Sequence, residues 1–408
     1  MPTDCVSSIR STSRPPLSEP RSKSGRQSAA SGDQLRVLAF YLPQFHPTPE
    51  NDGWWGKGFT EWRNVVKARP LFPGHYQPHL PADLGFYDLR APEARLAQAQ
   101  LAQHYGITGF CYFHYWFHGT RLLNRPFDAV LRSGEPDFPF CLCWANENWT
   151  RQWDGMAHHV LMPQRHSFED DRAHIDYLIE AFRDPRYIKI NGRPLFLIYR
   201  TELLPEPSRT AEIWRQRARA AGFPDLYLAR VEARVSLGPD PKNIGFDAAV
   251  EFAPDKGVLA GPMMRGEHWG VRTRVLNRLS KVGLISSAYF EHAIYSYDSL
   301  VEGMLRKSAP GYTRFRCVTP GWDNSPRREK GATIFHGSTP KAYERWLSAI
   351  ARETLEQHKG EERIVFVNAW NEWAEGNHLE PDQRWGLAYL EATAHAVKTN
   401  LPFEHIRS

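Results

Sequence analysis

The sequence has 408 residues, of which 41% are hydrophobic and 24% are charged, a composition typical of a globular protein with a large core. A net charge of +5 over this length does not make a polyanion-binding surface, so we expect no nucleic-acid partner. No apolar run approaches the roughly 18–20 residues of a membrane-spanning helix. We therefore expect no integral membrane segment, although association with a membrane surface stays open.

The N-terminal segment differs in composition from the rest of the chain. Residues 1–34 are rich in Ser, Arg, Pro and Gly and poor in aliphatic side chains. Such a segment cannot bury enough surface to offset the entropy lost on ordering, which predicts a disordered tail. It lacks the apolar stretch of about 7–15 residues found in a secretory signal, and a transit peptide is the alternative interpretation. We place a single catalytic domain at residues 35–400.

The cysteines indicate the compartment. Five cysteines, an odd and sparse set, do not resemble a disulfide framework, which favours a reducing compartment such as the cytoplasm. Cys141 and Cys143 share one face of a predicted strand, where small buried core residues are expected. A redox or metal-binding pair is the alternative for these two cysteines.

Short apolar or β-branched runs alternate with helical patterns along the chain. Residues 175–182 and 343–350 carry apolar side chains at i, i+3, i+4 and i+7, which predicts amphipathic helices. Near-continuous apolar strands separated by helices predict a parallel sheet, and their number favours a (β/α)8 TIM barrel over a doubly wound sheet. Residues 253–287 are too long for a simple connection and predict an insertion near the C-terminal end of the barrel. The predicted strands span residues 36–42, 108–116, 138–144, 194–199, 226–231, 246–252, 314–319 and 363–370.

Polar and aromatic residues gather where these strands end. In a TIM barrel the active site lies at the C-terminal ends of the strands, on the loops that follow them. Indole rings stack on the apolar faces of sugars, while amides and carboxylates bind hydroxyl groups, so this mixture predicts a sugar-binding cleft. The candidate substrate-binding residues are Gln44, His46, Trp54, Trp55, Glu61, His114, Tyr115, Trp116, Asn146, Glu147, Asn148, Trp149, Glu251, Trp370 and Asn371.

Two glutamates after the eighth strand are the candidate catalytic residues. Cleaving or forming a glycosidic bond requires one carboxylic acid to protonate the leaving oxygen and a second group to act at the anomeric centre. Glu372 and Glu375 can face one cleft if the chain turns between them, and Trp370 and Trp373 would help to keep one of them protonated. The alternative is a pair of solvated loop glutamates.

Other site types are less well supported. His114 and His118 have a metal-ligand spacing on a helix, and Glu251 could join them, but on a strand they lie about 13 Å apart. We therefore predict no metal and no cofactor. The basic residues between 265 and 281 fit a solvated surface, with an anionic donor site as the alternative. The sequence has no phosphate-cradling glycine motif and no Gly-x-Ser-x-Gly elbow.

Four motifs resemble a known family. The stretches AFYLPQFHP, NDGWWGKGFTEW, WANENW and AWNEWAEGNHLEP together resemble WbsX-type proteins, described as glycosyltransferases of bacterial surface-polysaccharide clusters. Those proteins are in turn similar to glycoside hydrolase family ninety-nine, the endo-α-mannosidases and endo-mannanases. The resemblance spans residues 35–396 and implies a (β/α)8 barrel.

The resemblance also implies roles for individual residues. Glu372 would assist the sugar 2-hydroxyl through an epoxide-like intermediate with retention, and Glu375 would be the general acid and base. Glu147 would correspond to another active-site carboxylate. The hydrolases carry His before the second glutamate, whereas this chain has Ala374, which weakens the transfer of mannoside specificity and of hydrolysis itself.

These patterns predict a carbohydrate-active enzyme that cleaves or forms α-glycosidic bonds. Its substrate would be an oligosaccharide or polysaccharide, in bacterial surface-polysaccharide or O-antigen metabolism. A sugar-nucleotide-dependent glycosyltransferase and a non-catalytic glycan-binding barrel are the alternatives. The pattern predicts no particular oligomeric state.

Overall fold

The computed structural model describes the barrel strands and nearly all of the outer helices. The predicted tail lies outside the described residues apart from Gln34, and so does most of the predicted insertion at 253–287. The structure describes residues 34–151, 156–233, 238–259, 261, 278–279 and 286–400.

Eight parallel strands form the core of the domain, and each coincides with one of the eight predicted runs. Most of their residues are buried because the inner face meets the other strands and the outer face meets helices. The strands are β1 (Arg36–Tyr41), β2 (Gly109–Phe117), β3 (Phe140–Trp144), β4 (Arg193–Ile198), β5 (Tyr227–Glu232), β6 (Ala248–Glu251), β7 (Arg314–Val318) and β8 (Ile364–Val367).

The sheet closes on itself through β1. Leu38 of β1 lies in register with Phe366 of β8 on one side and with Gly109 of β2 on the other. The remaining strands pair in chain order, each parallel to the next. The predicted (β/α)8 barrel is confirmed.

Amphipathic helices cover the outside of the barrel. The predicted stripe at 175–182 is buried, and the Ser167 side chain caps its helix by accepting from the Asp170 backbone N–H. Thr339 caps the helix at 340–357 in the same way, as its pairing with Pro340 suggests. The outer helices are α1 (Pro92–His104), α2 (Arg125–Ser133), α3 (Phe168–Phe182), α4 (Pro207–Ala220), α5 (Tyr297–Leu305), α6 (Pro340–Gln357) and α7 (Ala388–Thr399).

The repeat departs from a regular barrel in its connections. Between β5 and β6 the described residues contain a short 3-10 helix, Pro241–Ile244, in place of an α-helix. After β7, the strand Thr333–His336 pairs in parallel with Ala293–Ser296 and fixes the end of a long loop. Two short helices, Pro49–Trp55 and Trp62–Lys67, follow β1. Among the described residues, no helix combines the length and apolarity needed to cross a bilayer.

Candidate active site

A cleft of about 670 Å³ opens at the C-terminal ends of the barrel strands. Aromatic rings and charged side chains share its wall. Rings of Phe113, Tyr199 and Phe252 pack edge to face, with centroids 5.4–6.0 Å apart, and form an apolar part of the wall. Tyr115, Trp149 and Trp322 add three more aromatic side chains. This mixture suits a ligand with both apolar faces and hydroxyl groups.

A tight hairpin after β8 carries both candidate catalytic glutamates. Asn371–Glu372 pairs antiparallel with Asn377–His378, and Trp373–Glu375 forms a single 3-10 turn between them. Gly376 closes this turn with φ of 55°, a conformation that favours glycine, and a Cβ there would lie 3.1 Å from Asp323. The turn brings Glu372 and Glu375 to the same cleft wall.

The Arg327 side chain joins these two glutamates. Its Nη2 donates to Glu372 Oε2 at 3.1 Å, and its Nη1 donates to Glu375 Oε1 at 2.5 Å. The other edge of the guanidinium donates to both oxygens of Glu61, at 3.0 and 3.1 Å. Three carboxylates therefore surround one cation, and if all three were ionised the group would carry a net charge of −2.

The third carboxylate is itself held in place. The Glu61 side chain is fully buried. It accepts from Asn64 Nδ2 at 3.0 Å and from the amide of Gln44, which reaches it from the end of β1. Glu61 thus keeps Arg327 oriented while its own hydrogen-bonding capacity is satisfied by buried donors.

Burial and like charge favour proton uptake by the glutamate pair. Burial is the largest cause that raises the pKa of Glu372, to about 8; Arg327 opposes it, and the charges of Glu375 and Glu61 add to it. Burial also raises the pKa of Glu375, again against Arg327. Because the two groups share one guanidinium, we assign the proton near neutral pH to the pair.

Another buried carboxylate, that of Glu380, holds the hairpin in place. Glu380 accepts from Tyr87 Oη at 2.7 Å, Trp373 Nε1 at 2.6 Å and Gln98 Nε2 at 2.6 Å. Burial raises the pKa of Glu380 to about 7, and the three donors moderate that rise. Trp373 stands between the catalytic candidates in sequence, so Glu380 fixes the turn that presents them.

Buried asparagines connect the loops at the ends of neighbouring strands. Asn371 Oδ1 accepts from Leu42 N at 2.7 Å, and its Nδ2 donates to Leu42 O at 3.0 Å, which ties β8 to β1. Asn146 makes the same two contacts with the backbone of Arg200, both at 2.8 Å, and ties β3 to β4. These amides replace ladder hydrogen bonds where the strands diverge.

Some of the predicted site residues come together in the cleft. Glu147 pairs there with Arg200, and Asn148 accepts from Gln164 N at 2.7 Å. Trp149 packs edge to face against Tyr115, with centroids 5.1 Å apart. The predicted residues that line the cleft are Gln44, Tyr115, Glu147, Asn148, Trp149, Glu372 and Glu375.

Other predicted residues face away from the cleft because of strand alternation. On β2, Phe113 and Tyr115 point inward, so His114 and Trp116 point outward, where His114 contacts His174 at 2.9 Å and Trp116 donates to Asp170 at 2.9 Å. His114 is buried, which lowers its pKa to about 3.

The remaining predicted residues lie behind the lining. Glu251 is fully buried between Arg316 and Lys307, at 2.9 and 3.1 Å, and these cations lower its pKa against burial. Burial lowers the pKa of His46 to about 4.

The predicted tryptophans pack against other side chains. Trp54 contacts Trp149, Trp55 contacts Phe59 and Arg151, and Trp370 contacts Phe110. Glu61, Asn146 and Asn371 support the wall through the hydrogen bonds described above.

Several lining residues were not among our candidates. Arg327 and Arg328 come from the loop after β7, where the sequence NSPRREK places two adjacent cations close to a strand end. Two adjacent arginines in the loop after a predicted strand were the available signal. Glu232, at the end of β5, also lines the cleft and accepts from Tyr312 Oη at 2.6 Å. Its position at the end of an apolar strand is the same signal that made Glu251 a candidate.

The sequence matches the profile of a known protein family. The profile of the family described as "Glycosyltransferase WbsX" matches residues 37–393, nearly the whole described domain. The chain belongs to this family. The chain is also 46% identical over 361 residues to "Uncharacterized protein WxcX" from two strains of Xanthomonas campestris pv. campestris. The match covers 88% of this chain and 49% of each relative, so the chain spans about half the length of these curated relatives.

Solved structures confirm the fold of this WbsX family member. The GH99 endo-α-mannosidase from Bacteroides thetaiotaomicron aligns with a TM-score of 0.52 at 15% identity, covering 90% of this chain and 97% of that chain. A "glycoside hydrolase-like protein" aligns equally well, with a TM-score of 0.52 at 15% identity over 92% and 97% of the two chains. The chain therefore shares its (β/α)8 fold with these two structures, while its family is described as a glycosyltransferase family.

Proposed function

We propose that this protein cleaves or forms α-glycosidic bonds with retention, using Glu372 and Glu375 as the reacting pair. The observation that carries the proposal is their shared contact with Arg327 on one wall of an aromatic-lined cleft. Two carboxyl groups with raised pKa values can divide one proton between them, and this chemistry requires one acid and one base.

The resemblance to the hydrolases suggests a separate role for each glutamate. Glu372 takes the proton of the sugar 2-hydroxyl while that oxygen attacks the anomeric carbon. Glu375 gives its proton to the leaving oxygen as the glycosidic bond breaks. Glu375 then takes a proton from the incoming hydroxyl as its oxygen bonds to the anomeric carbon. The bond between that carbon and the 2-oxygen breaks, and Glu372 returns its proton to the 2-oxygen. A water molecule as the incoming group gives hydrolysis, and a sugar hydroxyl gives transfer.

The proposed substrate is an oligosaccharide or polysaccharide of bacterial surface-polysaccharide or O-antigen metabolism. The family description supports a role in sugar transfer. The mixed lining of aromatic and hydrogen-bonding groups supports an extended glycan rather than a small polar molecule. We further propose a cytoplasmic location, which the unpaired buried cysteines Cys111, Cys141, Cys143 and Cys317 support.

A sugar-nucleotide donor is the second candidate, and a specific observation favours it. Lys256 and Arg328 line the same cleft as the glutamate pair. Cations in such positions suit a diphosphate leaving group, because they stabilise the charge that develops when the sugar departs. On this alternative, Glu375 would act as the base on the acceptor hydroxyl.

The test is a product screen with matched variants. The protein is incubated with α-mannosides, other oligosaccharides and sugar nucleotides, and products are read by mass spectrometry. We expect one oligosaccharide class to be cleaved or extended by the wild type and by Glu180→Gln, an exposed control, and not by Glu372→Gln or Glu375→Gln. Turnover that needs a sugar nucleotide favours the second candidate. Glycan binding without turnover would contradict both and favour a non-catalytic barrel.

A further inference from the structure

A smaller pocket, of about 100 Å³, lies beside the cleft. Trp322 lines both the pocket and the cleft. The pocket is bounded by the loop after β7, by the chain that follows the β8 hairpin, and by a segment between β1 and α1, residues 74–79. Its wall is rich in histidine, which the proposed glycosidic chemistry does not use.

We propose that His79, His378 and Asp382 bind a zinc ion in this pocket. His79 Nδ1, His378 Nε2 and a carboxylate oxygen of Asp382 all lie within 4.8 Å of one another. The two ring nitrogens are 2.8 Å apart, and His378 Nε2 lies 3.9 Å from Asp382 Oδ2. A tetrahedral ion with ligand bonds of about 2.0–2.2 Å needs donor atoms about 3.3–3.6 Å apart, so binding would move the two rings apart and bring the carboxylate closer.

The hydrogen bonds around the trio orient its donor atoms. His378 Nδ1 donates to the carbonyl oxygen of Glu380 at 2.8 Å, which leaves the lone pair of Nε2 free to bind a metal. A histidine that binds a metal through one ring nitrogen commonly donates its other ring N–H to a carbonyl oxygen in this way. Asp382 Oδ1 accepts from the backbone N–H groups of Arg384 and Trp385, at 2.9 and 2.6 Å, so Oδ2 is the oxygen turned towards His378.

The types of ligand atom indicate which kind of ion would bind. Two imidazole nitrogens and one carboxylate oxygen match zinc and related divalent transition metals, whereas calcium and magnesium prefer all-oxygen sites. Three protein ligands leave one tetrahedral position for water from the adjoining pocket.

The location of the trio suggests what the ion would do. His79 lies in the segment after β1, whereas His378 lies on the β8 hairpin, directly opposite Asn371. The ring of His378 stacks on Trp373, with centroids 3.7 Å apart and planes 15° apart. A metal ion would therefore tie the turn that carries Glu372 and Glu375 to a distant part of the chain, as a positioning element rather than a catalytic one.

The competing interpretation is a plain hydrogen bond between two neutral imidazoles, and the molecule contains a matched example. His114 and His174 approach each other at 2.9 Å on the outside of β2. That pair belongs to no three-ligand group among the described residues. It supplies a control in which two histidines touch without a carboxylate ligand.

The experiment measures zinc binding directly. Untagged protein is stripped with a chelator, incubated with zinc sulfate, passed through a desalting column and assayed by plasma mass spectrometry. We expect about one zinc per chain for the wild type and for His174→Gln, and much less for His79→Gln and Asp382→Asn. Asp382→Asn keeps the Oδ1 acceptor of the local turn, so its fold should persist, which circular dichroism checks.

A second readout does not depend on recovery of the metal. Zinc at about 100 times its dissociation constant should raise the melting temperature of the stripped wild type by roughly 3 °C. The two ligand variants should not respond, while His174→Gln should respond as the wild type does. If the stripped wild type neither retains zinc above the level of the ligand variants nor gains thermal stability, the contact is only a hydrogen bond and the proposal is wrong. These measurements are independent of any glycan activity, so they separate this inference from the proposed function.

Discussion

Glu61 and Arg327 form a two-point ion pair beside the cleft, with Nε–Oε1 at 3.0 Å and Nη2–Oε2 at 3.1 Å. The pair joins the loop after β1 to the loop after β7. Because one edge of the planar guanidinium is committed to Glu61, the remaining N–H groups are aimed at the two candidate catalytic carboxylates. Glu61, which takes no part in the proposed reaction, thereby orients Arg327 towards Glu372 and Glu375.

Replacing Arg327 with lysine should disrupt this group without removing its charge. An ammonium cannot donate to three carboxylates in one plane, so at least one would be left buried and unpaired. We expect a loss of about 3–5 kcal/mol in the free energy of unfolding, measured by urea titration, and a loss of activity on whichever substrate the screen identifies.

The neighbouring residue supplies the control for that change. Arg328 also lines the cleft, and it contributes to the charge around Glu375. Arg328→Lys should change the free energy of unfolding by less than about 0.5 kcal/mol. Equal changes in the free energy of unfolding for the two substitutions would mean that Arg327 acts through its positive charge rather than through its several N–H donors.

The two catalytic candidates should respond differently to the leaving group. Glu375→Gln removes the transferable proton, so turnover should fall by roughly 10²–10⁴-fold while substrate binding persists. An activated aryl glycoside needs little protonation and should restore much of the rate of the first step. Glu372→Gln should not be rescued, because its proposed action is on the 2-hydroxyl. Near-normal turnover of both variants would instead direct attention to Glu147 and Glu232.

Glu380 should make stability depend on pH. Its folded pKa is raised from 4.5 to about 7, so its contribution is fully present below about pH 4.5 and is lost as the pH rises through 7. This rise in pKa corresponds to at most about 3 kcal/mol in the free energy of unfolding. In urea titrations between pH 5 and pH 8, the deficit of Glu380→Gln relative to the wild type should therefore shrink as the pH increases.

Exposed Glu180 provides the comparison for that pH series. Glu180→Gln should have the same pH dependence as the wild type, since its carboxyl is solvated and its ion pair with Arg183 lies on the exposed surface of one helix. A deficit of Glu380→Gln that stays constant between pH 5 and pH 8 would show that Glu380 is ionised throughout.

The asparagine connections should be sensitive to a change of one atom. Asn371→Asp keeps the acceptor for Leu42 N but places a carboxylate oxygen against Leu42 O, where the amide now donates. We expect a loss of about 2–4 kcal/mol in the free energy of unfolding. Asn148→Asp, an exposed change on the cleft rim, should alter it by less than about 0.5 kcal/mol. Similar losses from both would argue against the connection as a source of stability.

The sequence predicted the barrel because each strand is buried on both faces and is bounded by polar loops. Runs such as 194–199 and 363–370 contain little besides apolar residues, so their existence does not depend on knowing their partners. The sequence between β5 and β6 did not predict the 3-10 helix that its described residues form, since a connection of that length can hold either kind of helix.

The site was less predictable because side-chain direction depends on neighbours. Treating every polar residue at a strand end as a site residue ignored the two-residue alternation of β2, which turns His114 away from the cleft. Arg327 was missed because two adjacent arginines in a loop are common on solvated surfaces and form no recognised motif. The zinc-binding candidates His79 and His378 lie 299 residues apart in the chain, so no local spacing could connect them.

The closure of the barrel through β1 has a consequence for synthesis. β1 ends at Tyr41, but its partner β8 is complete only at Val367, 326 residues later. At translation rates of about 5–20 residues per second, one edge of β1 waits roughly 15–65 s for its neighbour. Throughout that interval an apolar strand exposes unpaired backbone groups to other chains. We therefore expect the nascent polypeptide to be open to aggregation until β8 has been synthesised, and added chaperone during translation should raise the yield of folded protein.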